Sequence, residues 1–317
     1  MIFEKNATPE NVQLYPAKKL FVAIDKLKKC IFNATDDTTL RNILEDKKSR
    51  TLSPLDLYLS AEFKGENLTA YDELVYDICL SEQVIGNEQT TPAIIHRAMG
   101  GSKTNFTAKE KERIMRSIRK LATTWIKFDC TDIVEHYYRV DRGTYKYEGV
   151  LLPTEYITKT INGQLDTASI HFIRKTPLLD VAKVKGQFII CDIALLDVPN
   201  IKNTETVLTI KSYLFRRIIQ IVGSYCKHKK HFRGKIKGGK NIYRTAKELE
   251  KTILLDTLFA HCGLSNADRG KKRDARNVIT KILDHFKAGK LISEWHFEKD
   301  GGKFRAIKIE IGKIFTE

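Results

Sequence analysis

Segment 264–311 constrains the chain most. LSNADRG reads as a turn after a helix closed by Gly263, and KKRDARNVITKILDHFKAG (271–289) predicts a helix stopped by Gly289. Ala275, Val278, Ile279, Ile282, Leu283 and Phe286 recur at helical spacing and mark its inner face. LISEWHFEKDGGKFRAIKIEIG then predicts a β-hairpin with Asp300-Gly301-Gly302 at its tip. Phe304, Ala306, Ile307, Ile309 and Ile311 supply the apolar residues of its return strand. Upstream, TVLTIKSYLFRRIIQIVGSYC (206–226) predicts a long helix with Arg216 and Arg217 on its polar side. KHKKHFRGKIKGGKN (227–241) reads as a basic, glycine-containing loop. YRTAKELEKTILLDTLFAHCG predicts a further helix, with Thr245 and Glu248 as a capping box and Leu249, Ile253, Leu254 and Leu258 turned inward. Helices joined by a turn and followed by a hairpin give a helix-turn-helix with a wing.

The same order is expected earlier in the chain. SPLDLYLSAEF (53–63) reads as extended. LTAYDELVYDICLSEQVIGNE then carries a capping box at Thr69/Asp72, helical spacing at Leu74, Val75, Ile78 and Cys79, and a stop at Gly86. Thr91 and Pro92 open a short helix with Ile94, Ile95 and Ala98 on one face, and Gly100 and Gly101 end it. FTAKEKERIMRSIRKLATTWIKFDC opens on a second capping box, Thr107/Glu110. Ile114, Met115, Ile118, Leu121, Ala122 and Trp125 fall on one side, and Lys109, Arg113, Arg116 and Lys120 on the other. IKFDC, VEHYYRV and YKYEGVLLP are β-prone, which places a hairpin tip at Asp141-Arg142-Gly143. ASIHFIRK (168–175) and KGQFIICDIALLDVP (185–199) are expected to extend the same sheet. The expected fold class is therefore α+β: two winged helix-turn-helix domains in tandem, the first with additional strands. The domains are 51–200 and a strongly basic 201–317, joined near NIKNT (200–204). Residues 1–50 form a polar lead-in, with FVAIDKLKKCIFNA (21–34) as a short amphipathic helix.

Charge narrows the function. The chain has 55 Lys/Arg against 39 Asp/Glu, a net of +16. Residues 201–317 hold 27 basic and 12 acidic residues, so nearly the whole excess lies in the last third. Such a field points to a polyanion, most often nucleic acid. On the basic helix Arg269, Arg273, Asn277, Thr280 and Lys281 face away from the apolar stripe. Arg and Asn pair bidentately with guanine and adenine edges. With Lys271, Lys272, Arg276 and the hairpin cations Lys299, Lys303 and Arg305, they complete the candidate DNA-binding set, alongside Lys109, Arg113, Arg116 and Lys120. A basic stripe on one helix is otherwise an ordinary solvated face.

Other chemistries lack their residues. No run of about 18 uncharged apolar residues is present, and MIFEKNATPE has no basic-then-apolar leader, so a cytoplasmic protein with no membrane partner is expected. The six cysteines (30, 79, 130, 191, 226 and 262) form no CxxC pair and read as buried thiols. GGSKT (100–104) follows a helix and lacks the spacing of a phosphate-binding loop. No His-x-His exists to hold a nicking metal, and Tyr137 and Tyr138 read as packing residues in a strand. In CKHKKH, Cys226, His228 and His231 lack a fourth zinc ligand nearby in sequence. His261 ends a helix and His296 sits on a strand. No enzymatic activity, cofactor or metal is expected.

LTAYDELVYDICLSEQ…TTPAIIHRAM, FTAKEKERIMRSIRKL, KSYLFRRI and RDARNVITKILDHFKAGKLI together resemble replication initiator proteins of small plasmids and mobile elements of Firmicutes-type bacteria, over roughly residues 52–311. The resemblance implies tandem winged-helix domains, binding to repeated double-stranded sites in an origin, and recruitment of a host replication initiator or helicase. It also implies a homodimer made through the first domain. The expected function is a sequence-specific duplex-DNA-binding initiator. Its rivals are a winged-helix transcriptional repressor, an origin-nicking relaxase and, last, an RNA-binding protein.

Overall fold

The computed structural model describes residues 17–23, 28, 31–32, 62–101, 106–137, 143–184, 188–232 and 252–311. The Thr245/Glu248 capping box, the loop at 233–241 and most of the GGSKT, 53–63 and Asp141-Arg142 readings fall outside these residues. The fold is mixed α+β, with eight helices and four small antiparallel sheets among the described residues. The chain divides into two compact units, Met1–Ala194 and Leu195–Glu317.

The first unit is organised around α1 (Ala70–Val84). The Thr69 hydroxyl accepts the Asp72 N–H at 3.2 Å, and the Asp72 carboxylate accepts the Thr69 N–H at 2.8 Å, so the expected capping box forms. The helix is buried from Tyr71 through Gln83. After the short strand β1 (Lys19–Ala23) and β2 (Glu62–Lys64), the chain runs through α1, β3 (Gln89–Thr90), α2 (Pro92–Ala98) and α3 (Ala108–Thr123). Thr91 caps α2 and the Thr107/Glu110 box caps α3. Ile114, Met115, Ile118 and Leu121 of α3 are buried, as the periodicity requires.

Five expectations for this unit are corrected. Residues 19–23 form a strand, because Leu20, Phe21 and Val22 are consecutive apolar residues that pair in register with Cys191, Ile190 and Ile189 of β8 (Phe188–Asp192). Further on, the described residues Lys28, Ile31 and Phe32 are helical. The stretch expected as a strand at 134–140 begins in α4 (Thr131–Tyr137), so Tyr137 ends a helix. The Asp129 carboxylate accepts the Thr131 N–H at 2.9 Å and starts that helix. Trp125 is not on the α3 face; it opens β4 (Trp125–Asp129), which pairs with β5 (Lys146–Val150) across the α4 connection.

The hairpin that follows the helices is instead β6 (Thr154–Ile161) with β7 (Gln164–Phe172). Its tip is Asn162-Gly163, with φ of 51° and 73°. Two consecutive left-handed residues match the twist of the flanking strands. Finally, the later strands do not extend one sheet. β3-β7-β6, β2-β4-β5 and β1-β8 are separate, with α5 (Pro177–Val184) between β7 and β8.

The second unit runs α6 (Glu205–Phe232), β9 (Thr252–Leu254), α7 (Leu255–His261), α8 (Arg269–Ala288), β10 (Ile292–Asp300) and β11 (Lys303–Ile311). Residues 227–232, expected in a loop, continue α6. Ile253 and Leu254, expected on a helix, alternate on β9, so Ile253 is buried and Leu254 is 47% exposed. β9 pairs with the return strand β11, giving the sheet order β10-β11-β9. That order reproduces β6-β7-β3 of the first unit, where β3 likewise pairs with the return strand of the hairpin. Each unit is thus a helix, a short strand, two helices and a hairpin, and the first has β4-α4-β5 inserted before its hairpin.

Lys28 ties the N-terminal segment to α1. Its ammonium lies 3.3 Å from the Glu73 carboxylate and bonds the Asp77 carboxylate, with all three side chains buried. Removing one partner of a buried ion pair leaves uncompensated charge and costs about 3–5 kcal/mol. Lys28→Met is therefore expected to lower stability by about that much in urea unfolding; a loss under about 1 kcal/mol would mean that the segment is not docked on α1.

Candidate nucleic-acid interface

Helix α8 presents the expected basic face. Its N-cap, Asp268, accepts the Lys271 N–H at 2.9 Å, and that bond holds the exposed Asp268 carboxyl below its ordinary range. No acidic residue follows in the first turn; Arg269, Lys271, Lys272 and Arg273 stand there instead. Cations at the positive end of a helix dipole are unfavourable. Local conflicts of this kind are relieved by an anionic ligand at the helix start. The inner face is apolar, with Ala275, Ile279, Ile282, Leu283 and Phe286 buried. Phe286 meets Phe215 of α6, ring centroids 6.0 Å apart.

The outer face is open. The Arg273 side chain is 73% exposed and reaches only the neighbouring Asp274, at 3.7 Å. Arg269, Lys271, Asn277 and Lys281 are exposed and Thr280 is half-buried. Lys272 turns back, donating to the Ser265 carbonyl at 2.7 Å. Lys281 reaches the Asn200 carbonyl at 3.4 Å. Arg276 lies over the ring of Phe304, 5.0 Å from its centroid. Phe304, expected among the apolar residues of the return strand, is 40% exposed.

The hairpin is fixed beside this face. Gly301 and Gly302 form the expected tip, with φ of 54° and 79°. The Trp295 indole N–H donates to the Asp284 carboxylate at 3.0 Å and locks β10 to α8. Lys303 is exposed at the tip, Lys299 lies over Phe304, and Arg305 pairs with Asp300 at 2.7 Å.

In the first unit the four cations divide. Lys109 and Arg116 are exposed on α3. Arg113 is half-buried, its guanidinium 5.1 Å from the Tyr71 ring centroid and its Nε buried without a hydrogen-bond partner among the described residues. Lys120, 20% exposed, stands 3.7 Å from Asp72 and 3.8 Å from Glu66. Arg113 and Lys120 each precede a buried residue, Ile114 or Leu121, so the helical angle brings them to the edge of the core. Lys111 and Lys159, outside the expected set, also lie by this hairpin; Lys111 bonds the Asp166 carbonyl and Lys159 sits 3.4 Å from the Asp166 carboxylate. The Asn-Gly pair at 162–163 was the sequence signal that could have located them.

Among the described residues no group of three or more His, Cys, Asp or Glu could hold a metal ion, and no helix is long and apolar enough to cross a membrane. No family model and no curated protein matches the chain. Similarity is found among solved structures. The chain is similar to RctB domains 2 and 3. One structure of those domains covers 88% of this chain and 99% of its own, at 12% identity and a TM-score of 0.36. A second, of RctB residues 155–483, covers 80% and 86%, at 11% identity and a TM-score of 0.32.

The segment before α6 braces the second unit from behind. The Lys211 ammonium is buried and donates to the Leu196 carbonyl at 2.7 Å and the Asn203 amide oxygen at 3.1 Å. Burial pulls its pKa down to about 8. Between about 8 and the unfolded-state value of about 10.4, the unfolded chain binds more protons, so this residue makes stability rise with pH. The stability of the wild type relative to Lys211→Met is expected to increase from pH 8 to pH 10, by at most about 1.4 kcal/mol per unit, in paired melts. A flat difference would mean that Lys211 is solvated.

Proposed function

We propose that this chain is a sequence-specific double-stranded-DNA-binding protein that acts as a replication initiator at repeated origin sites. On this reading the two units are tandem winged helix-turn-helix domains. The recognition helices are α3 and α8, and the wings are the β6–β7 and β10–β11 hairpins. The shared element order and shared sheet order support that assignment. The observation that carries the function is the outer face of α8. Arg273 and Asn277, one turn apart and exposed, stand beside a hairpin tip bearing Lys299 and Lys303, in a segment with a net excess of basic residues. Helix residues reach base edges in the major groove, and hairpin lysines hold phosphate. In the first unit, Lys109 and Arg116 are the cations free to face DNA.

The initiator role, as against a promoter-binding one, rests on the resemblance of the helix phrases to plasmid initiators. The dimer through the first unit and the host initiator or helicase partner follow from the same resemblance. The protein acts by binding, without a catalytic step of its own.

The test uses a duplex selected by the wild type from a randomised pool. With about six phosphate contacts, log affinity is expected to fall against log salt with a slope near −5. Arg273→Ala should cost ~1–3 kcal/mol on the selected duplex and far less on random DNA. Lys303→Ala should weaken both duplexes equally. Arg273→Ala should also abolish replication of an origin-less vector carrying the gene with its flanking DNA. A slope near zero, or equal losses for Arg273→Ala on both duplexes, would remove α8 as the reading head.

A further inference from the structure

We infer that Phe304 is a positioning residue that gathers Arg276 and Lys299 into a clamp for one DNA phosphate, at the junction of α8 and the β10–β11 hairpin. The inference rests on the DNA-binding reading above and adds to it a site and a residue that charge alone does not identify.

The backbone creates the site. Along the hairpin, Glu298 pairs with Ala306 and Lys299 with Phe304, so Arg305 is an extra residue with no partner across the ladder. A β-bulge of this kind re-aims the neighbouring side chain. Arg305 and Ala306 both border the shallow groove on the sheet that also contains Leu254 and His296. Phe304 is turned the other way, edge-on to Phe297 with ring centroids 5.3 Å apart. Phe297 in turn meets Trp295 at 5.3 Å, and Trp295 bonds Asp284 of α8. Arg276 lies over the Phe304 ring and closes the circuit back to α8. The three aromatic rings form a brace that spans two turns of α8, from Asp284 to Arg276.

The charges then point to the ligand. The Arg276 guanidinium is 5.0 Å and the Lys299 ammonium 4.8 Å from the centroid of the same ring. Three neighbouring cations have carboxylates: Arg305 has Asp300, Lys308 has Glu298 and Lys287 has Glu294. Arg276 and Lys299 have no carboxylate partner among the described residues; what they share is the ring of a half-exposed phenylalanine. A ring quadrupole attracts each cation by roughly 0.5–1 kcal/mol at an exposed site, which orders both without neutralising either. Two ordered, unneutralised cations fit an anion placed between them. The position between a recognition helix and its wing is where a DNA strand passes from the major groove to the neighbouring minor groove, so the anion is a backbone phosphodiester. Its contribution is to affinity and salt dependence, with no preference for sequence.

The experiment compares Phe304→Leu, Phe304→Tyr and Arg276→Ala with wild type on the selected duplex and on random DNA, over a salt series. Phe304→Leu keeps apolar bulk and loses the π face. It is expected to weaken both duplexes by about three- to tenfold and to reduce the steepness of the salt slope by about one, while Phe304→Tyr stays at wild type. The Phe304→Leu/Arg276→Ala double variant should lose less than the two single losses combined, because the ring acts in part through that arginine. Wild-type affinity and slope for Phe304→Leu, or simple additivity in the double variant, would overturn the clamp and leave the DNA-binding reading standing. Absence of salt-dependent DNA binding by the wild type would overturn both. The Arg276→Ala arm, which leaves the aromatic brace in place, decides the matter should Phe304→Leu melt early: an unchanged slope there also overturns the clamp.

Discussion

Four carboxylates on one buried helix govern how the first unit is built. Asp72, Glu73, Asp77 and Glu82 of α1 are all buried. Each needs a donor from elsewhere in the chain, since a buried charge without a partner is strongly destabilising. Lys28 answers Glu73 and Asp77. The Ser117 hydroxyl donates to Asp72 at 2.7 Å, with Lys120 close by. The Ala17 N–H and the Asn87 side chain donate to Glu82. The next residue of the helix, Gln83, accepts the Thr176 N–H at 2.9 Å. Segments separated by up to a hundred residues are brought onto one helix by these bonds. Burial beside Glu82 also pushes the Cys79 thiol up, which keeps it protonated and inert.

The same constraint sets the difference between the two helices that follow a turn. Helix α3 lies against α1 and contributes Ser117 and Lys120 to its carboxylates, while Arg113 packs on Tyr71. Its basic face is therefore partly committed to the fold. Helix α8 packs on α6 through apolar side chains, and the cations at its start are left facing outward. Part of the positive charge of the last third thus lies on one helix and its adjoining hairpin. On the proposed reading, the second unit supplies most of the electrostatic attraction, and the first adds a smaller basic surface.

The parts of this that the sequence disclosed are those with local causes. The boxes at Thr69/Asp72 and Thr107/Glu110, the Thr91-Pro92 start, the inner stripe of α8 and the Gly301-Gly302 tip depend on residues a few positions apart. What it hid depends on distant partners. KLFVA adjoins a stretch of helical spacing, yet its strand form is stabilised by β8, about 170 residues later. VEHYYRV looks β-prone, but a cap at Asp129 starts a helix that takes in its first four residues. The first hairpin was misplaced because β4 and β5 do pair, and the insertion between them resembles a turn. The split among Lys109, Arg113, Arg116 and Lys120 follows from what α1 buries, which helical periodicity cannot register. Phe304 reads as one apolar residue of the return strand, and the bulge at Arg305, which sets its direction, leaves no local sequence signal.

On the proposed reading, DNA is read by two helix-plus-hairpin faces, with α8 carrying one of them. A hydroxyl-radical footprint on the duplex selected by the wild type tests it most directly. The account predicts two protected windows about one helical turn apart, roughly 10 base pairs centre to centre. With Arg273→Ala at a concentration that keeps the complex bound, one window should fade and the other persist. A single window, or two windows that Arg273→Ala leaves equally protected, would contradict it.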